Sequence, residues 1–212
     1  IHGFTSYCYF AAPPSFENNE ANLSRLREIL NDRLKNGMRD SKNYNSFVHG
    51  VKFITNRKSI MGYNTEHVRF FQVFLSFPSM IPVLKRIMQE GIQLPGMQES
   101  SPCQPFESNV PFVLRFMIDQ EITGAGWLSL PAKCYKVRSD SEKKTHCQLE
   151  FDISYKEVIS HKCEGEWSKI APLRVLSFDI ECQGRKGYFP EAEQDPVIQI
   201  ANTVSVYGDK EP

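Results

Sequence analysis

Asp179 and Glu181 stand two residues apart in the run Phe178-Asp179-Ile180-Glu181-Cys182, which otherwise reads as a buried strand. Strand side chains alternate between faces, so the two carboxylates share one face, with Cβ atoms roughly 6–7 Å apart. Acidic side chains are seldom buried without a partner. Two of them side by side at a sheet centre form the first half of a two-metal phosphoryl-transfer site. In such a site, ions about 3.5–4 Å apart stabilise the attacking and leaving oxygens of a phosphodiester. Asp179 is then the ligand shared by both ions, and Glu181 ligates one ion and orients a water. The hard, oxygen-only donor set selects Mg²⁺ or Mn²⁺ as cofactor. The spacing alone leaves two other readings open: a solvent-facing strand edge, and an ion pair with a nearby Arg.

The elements that must position the pair are read from the residues around it. Leu173–Cys182 is predicted as a strand with Leu176, Phe178, Ile180 and Cys182 turned toward a helix or core and Ser177, Asp179 and Glu181 turned the other way. A strand covered on both faces should be almost wholly apolar, and the two acids break that rule. The Gly- and Pro-containing loop Gln183–Pro196 leads to a second strand, Val197–Tyr207.

Upstream, residues 4–11 are aromatic-rich and end at Pro13-Pro14, which predicts a strand. Leu23, Leu26, Ile29, Leu30 and Leu34 follow helical spacing within residues 20–36, with Asn19 or Asn22 as cap and Gly37 as the residue after the helix. Strands follow at 47–55, 59–63 and 68–77, then a helical stripe Ile81, Leu84, Ile87 and Met88 closed by Gly91, with Ile92–Leu94 returning to the sheet. Gly96–Gln104 reads as a linker, Phe112–Ile118 as a strand, and Cys134–Val137 with Cys147–Ile153 as a hairpin around a polar tip. Trp127 and Trp167 are expected to anchor packing. The whole is an α+β, mixed chain: a β-rich N-terminal domain with a ferredoxin-like or OB-like submodule, also compatible with an RNA-recognition-like one. Phe70, Phe71, Phe74 and Phe77 in the third strand either pack the sheet against its helix or stack on bases; packing is the favoured reading, because no basic-aromatic motif accompanies them.

Composition narrows the partners. Among 212 residues, Lys+Arg and Asp+Glu each number 25, so the net charge is zero and no global basic footprint marks a nucleic-acid binder. Any such contact must come from a local patch. No apolar run reaches the ~18–20 residues of a membrane helix, and no membrane partner is expected. The start, Ile1-His2-Gly3-Phe4, has neither an initiator Met nor a signal peptide and reads as the interior of a longer chain. Six scattered cysteines, with no C-x-x-C pair, argue against zinc or iron–sulfur ligation and suit a reducing compartment, cytosol or nucleus.

Read with Gly187-Tyr188-Phe189-Pro190 and Asp195-Pro196-Val197-Ile198-Gln199-Ile200, the stretch around Asp179 resembles the first exonuclease motif of the B-family DNA polymerases, closest to the eukaryotic replicative members. Ile1–Phe4, Phe106–Phe112, Leu114–Asp119, Gly126–Pro131 and Ile170–Glu181 agree with the same family, whereas 15–51 carries nothing diagnostic. The resemblance implies an N-terminal domain over 1–172, and over 173–212 the first β-hairpin of a ribonuclease-H-like 3′→5′ exonuclease domain. Asp179 and Glu181 become the first catalytic, metal-binding acids of proofreading. The family completes that site with an Asp from a second motif and a Tyr/Asp pair from a third, both downstream. The fragment alone is therefore expected to be inactive.

The same resemblance implies a nuclear enzyme of DNA replication and repair. Its partners are primer-template DNA with its single-stranded 3′ end, deoxynucleotides, accessory polymerase subunits and a sliding clamp; zinc or an iron–sulfur centre belongs only to the family's C-terminal region. Arg185 and Lys186 are candidates to touch DNA phosphate, against the alternative of solvated charges on a turn. Phe189, within Tyr188-Phe189-Pro190, either stacks on a splayed 3′-terminal base or belongs to a packed loop. Gln199 faces the acids or is a satisfied polar group. Rival readings are a stand-alone ribonuclease-H-like exonuclease and a nucleic-acid-binding module built on the aromatic sheet.

Overall fold

A computed structural model describes residues 1–38, 46–58 and 68–209; the strand expected at 59–63 lies outside the described residues. The chain divides into two compact units, Ile1–Ser160 and His161–Pro212.

The first unit opens with β1 (Ser6–Ala11), α1 (Glu20–Gly37), β2 (Val48–Arg57), β3 (Val68–Leu75) and α2 (Ile81–Glu90). Short strands β4 (Ile92–Gln93), β5 (Ser100–Ser101) and β6 (Pro105–Phe106) follow. The main sheet runs β2-β3-β1-β6 with every neighbouring pair antiparallel. Alternation along β1 and β3 divides their aromatics between two faces. Cys8, Phe10, Phe71, Val73 and Leu75 join Leu26, Leu30 and Leu34 of α1 and Leu84 and Met88 of α2 in the main core. Tyr7, Tyr9, Phe70 and Phe106 form a second cluster on the opposite face, with Phe74 packed against it. Phe70 and Phe71 are both fully buried, so these rings pack the sheet as the sequence favoured; Phe77, past the strand, is partly exposed.

The cap of α1 is Asn19, whose side chain accepts from the Asn22 N–H at 2.8 Å. Asn19→Ala is expected to cost the first unit about 1 kcal/mol, seen as a lower urea midpoint at unchanged slope. Gly37 is not the residue after the helix but its last member, and Met38 leaves in extended backbone. A Cβ at Gly37 would lie 3.2 Å from Val83 Cγ1, so glycine there serves the close approach of α2. Gly91, at φ +95°, closes α2 in the left-handed region as the sequence predicted.

The rest of the unit is α3 (Phe112–Asp119), β7 (Leu128–Ser129), β8 (Tyr135–Val137), β9 (Phe151–Ile153) and β10 (Ile159–Ser160). Strands β8 and β9 pair as the predicted hairpin. The strand expected at Phe112–Ile118 is instead the helix α3. Its residues favour strand locally, but their contacts repeat every four residues. Phe112 and Phe116 both pack on Phe4, with ring centroids 5.6 and 5.3 Å away, and Arg115 and Asp119 both reach Tyr7. Arg115 also meets Glu107 at 2.6 Å inside the protein. Trp127 is partly exposed rather than a buried anchor.

In the second unit Trp167 is likewise partly exposed and stacks on His161 at 3.6 Å. The unit is dominated by β11 (Arg174–Cys182) and β12 (Val197–Val206), an antiparallel pair. Among the described residues no helix is long and apolar enough to cross a membrane. All six cysteines are free thiols.

Candidate active site

The register of β11 and β12 sets the site. Ser177 faces Thr203, Asp179 faces Ala201 and Glu181 faces Gln199, while Leu176, Phe178 and Ile180 face Val204, Asn202 and Ile200. Opposed residues share a face, so the hairpin has a polar side carrying both acids and an apolar side carrying Leu176, Phe178 and Ile180. Gln199 thus lies on the side of the acids, directly across from Glu181, which answers the question its sequence position left open. A shift in register between Glu181 and Cys182 marks a bulge at the end of the acidic stretch. Bulges there bend the strand and re-aim its side chains.

Among the described residues nothing covers either face of β11, and Phe178 is 69% exposed on the apolar side. Alternation fixed the two faces correctly, but burial needs a covering element, and strand sequence carries no information about one. The Asp179 carboxylate accepts from its neighbour's N–H, Ile180, at 2.9 Å. Among the described residues no third Asp, Glu, His or Cys joins the pair to make a metal-holding cluster. Neither acid has an Arg or Lys partner among the described ion pairs, so the ion-pair alternative has no support.

The loop between the strands is closed at its base by the Gln183 N–H donating to the Pro196 carbonyl at 3.0 Å. Arg185 fills its centre. Its Nε and Nη2 donate to the two oxygens of Asp195, each at 3.1 Å, and Nη1 donates to Gln194 at 2.6 Å. Nη2 also lies 3.2 Å from a Glu191 oxygen. The guanidinium sits 5.3 Å from the Tyr188 ring centroid, within cation–π range. Asp195 was not singled out from sequence, yet its side chain is 1% exposed. It accepts the Glu191 N–H at 2.8 Å as well as the Arg185 fork. These two sources, the backbone donor first, hold its carboxyl below the usual carboxylate range. Arg185 and Asp195 bracket a turn that contains Gly187 and Pro190. Gly187 takes φ +82°, which lets the chain reverse there.

Around this clamp the aromatics point outward. Tyr188 is 69% and Phe189 90% exposed, and among the described residues Lys186 is exposed beside them. An exposed ring and an exposed cation on the loop that follows the two carboxylates in the chain can offer a stacking platform and a phosphate contact.

The sequence model described as DNA polymerase family B, exonuclease domain, matches residues 103–212. The chain is 44% identical to the DNA polymerase delta catalytic subunit of Glycine max and 43% identical to that of Mesocricetus auratus. Each comparison covers 100% of this chain and 19% of the relative, so the chain spans about a fifth of the length of these curated relatives. Among solved structures, the family B DNA polymerase from Pyrobaculum calidifontis superposes with a TM-score of 0.60 at 19% identity. That match covers 95% of this chain and 21% of the other, and concerns the fold alone.

Proposed function

The chain belongs to DNA polymerase family B, and from that premise we propose that it forms the N-terminal domain and the opening of the 3′→5′ proofreading exonuclease of a replicative polymerase of the delta type. The observation that carries this reading is the carboxylate pair, Asp179 and Glu181, on the polar face of a hairpin whose sequence lies within the matched exonuclease region. We assign residues 1–172 to the N-terminal domain and 173–212 to the start of a ribonuclease-H-like exonuclease fold. The β-α-β-β-α-β order of the first sheet supports a ferredoxin-like submodule rather than an OB-like one.

In this reading Asp179 and Glu181 are catalytic acids that hold Mg²⁺ or Mn²⁺ together with further acids of the parent protein. Their hard oxygen donors fit such ions, and the bound metal supplies neutralisation of charge at the scissile phosphate and an activated water. Gln199, opposite Glu181, orients that carboxylate by hydrogen bonding. Lys186 contacts backbone phosphate, and Phe189 stacks on the single-stranded 3′ end of primer-template DNA. Arg185 borders the same DNA path. Deoxynucleotides, accessory subunits, a sliding clamp and any zinc or iron–sulfur centre belong to other parts of a nuclear parent protein.

The deciding experiment uses the full-length parent polymerase and a 3′-labelled single-stranded oligonucleotide. Chelation with EDTA is expected to stop release of 5′-mononucleotides from the 3′ end, and added Mg²⁺ or Mn²⁺ to restore it. Excision that continues unchanged in the chelator would overturn the assignment of the acids as metal ligands.

A further inference from the structure

Phe189, at 90% exposed, is the more open of the two aromatic side chains of the hairpin loop, yet the loop that carries it is not loosely held. Arg185 and Asp195 lie ten residues apart and meet through two parallel hydrogen bonds, each 3.1 Å. Fork-to-fork pairs of this kind fix geometry as well as adding energy. The Asp195 side chain is almost fully buried, whereas Arg185 is 40% exposed. Asp195 also receives the Glu191 N–H, which pins the chain immediately after Pro190. On the other side Arg185 lies against the Tyr188 ring, and the Tyr188 N–H returns to the Arg185 carbonyl at 3.2 Å. The residues just before Phe189 are therefore tied to Arg185, and those just after Pro190 are tied to Asp195. The donors of Arg185 are directed into the loop, onto Asp195, Gln194 and Glu191.

From this arrangement we propose that Arg185 and Asp195 are a positioning pair, whose contact presents the Phe189 ring to the terminal nucleotide beside Asp179 and Glu181. The inference rests on the exonuclease reading above. It assigns Arg185 an action through Phe189 rather than through DNA phosphate, and it adds Asp195 as a residue on which excision depends. Holding the ring in place lowers the entropy lost when the strand end is seated for attack, an effect that appears in the rate of the bound complex.

The test is single-turnover excision by the full-length parent polymerase on a single-stranded oligonucleotide and on a primer with a mismatched 3′ end. Arg185→Ala and Asp195→Ala are expected to slow the saturated excision rate equally, by about tenfold. The double variant should be no slower than either single variant, because both remove the same contact. In a Phe189→Ala background, Asp195→Ala should add little further loss, since the ring it positions is gone. Oligonucleotide affinity and its salt dependence should stay at the wild-type level. Arg185→Lys keeps the charge but cannot form the fork and should remain impaired.

A contrary pattern would be weaker binding with a shallower salt slope in Arg185→Ala while Asp195→Ala excises normally; that is the signature of a phosphate contact and defeats the proposal. Additive losses defeat it as well. Primer extension and thermal melting of each variant report folding, and where an alanine variant melts early, Arg185→Lys and Asp195→Asn make the same comparison. Asp179→Ala is run in parallel. Excision lost in Asp179→Ala but normal in the clamp variants overturns only the positioning role. Excision intact in every variant overturns the exonuclease assignment with it.

Discussion

Asp179→Ala in the full-length parent polymerase is expected to lower 3′→5′ excision on the order of a thousandfold while leaving primer extension unchanged. The magnitude follows from the role. A ligand shared by two ions sets the charge stabilisation at the scissile phosphate, and a loss of about 4 kcal/mol of that stabilisation is a factor of a thousand. Unchanged primer extension and melting of the variant would mark the loss as chemical rather than structural. Asp179 is exposed on β11, and its carboxylate makes one local hydrogen bond, to the Ile180 N–H. Asp179→Asn keeps the size and the acceptor oxygen but removes the charge, so it should lose nearly as much. Glu181→Ala should fall in the same range, and the double variant should be little worse than either, because groups acting as one unit are not additive.

The 212-residue chain by itself should show no excision, since two carboxylates leave an ion pair under-coordinated. Rates from rapid-quench excision of a labelled oligonucleotide settle both points. Asp179→Ala excising within a few fold of wild type would refute the site, whereas turnover by the isolated chain that Asp179→Ala abolishes would refute only the expected inactivity of that chain, because the pair would then be sufficient.

How much of this was legible beforehand depends on the kind of interaction. The strands β11 and β12 and the shared face of Asp179 and Glu181 follow from period-two alternation, which is local. The helices α1 and α2 follow equally from the spacing of Leu26, Leu30 and Leu34 and of Ile81, Leu84 and Met88. The position of Gln199 does not, because a 14-residue loop leaves register free, and one step would have turned Gln199 to the apolar face. Nor does α3, where Phe, Val and Ile favour strand until Phe4 and Tyr7, more than a hundred residues away, select the helical repeat. Arg185 reads as a turn charge for the same reason: its meaning lies in Asp195, and a pairing across a loop is not written in either residue. The family resemblance reached further than periodicity at the carboxylates, because it rests on residue identities and not on geometry.

The second large effect is on stability, at a place where sequence reading saw only a matching motif. Replacing Arg115 by Ala is expected to destabilise the first unit by about 3–5 kcal/mol, the range for breaking a buried ion pair by removing one partner. Arg115 and Glu107 have side chains 3% and 0% exposed and meet at 2.6 Å. The guanidinium also lies 4.8 Å from the Tyr7 ring centroid, and the Tyr7 hydroxyl donates to Asp119 at 2.6 Å. Burial, and next the bond to Asp119, push the Tyr7 hydroxyl well above its ordinary range, so it stays a neutral donor. The network joins β1 to α3, with Arg115 and Glu107 buried and Asp119 at its partly exposed end. Without Arg115, Glu107 is a buried charge with its main partner gone, and that cost is a large share of a typical domain's 5–15 kcal/mol.

Not all of the pair's energy is net gain. Glu107 adopts φ +55°, which is strained for a residue other than glycine, and Arg115 Nε has no hydrogen-bond partner among the described residues. An apolar replacement of both partners should therefore recover most of the loss. We expect Arg115→Met with Glu107→Leu to come within about 2 kcal/mol of wild type, with Glu107→Leu or Arg115→Met alone far below it. Urea unfolding of the four proteins gives the coupling directly. Single variants that unfold at the wild-type midpoint would show that the pair is not desolvated as its geometry implies, and a double variant as unstable as the sum of the singles would show that Arg115 and Glu107 contribute independently and that their pairing is not what the single variants lose.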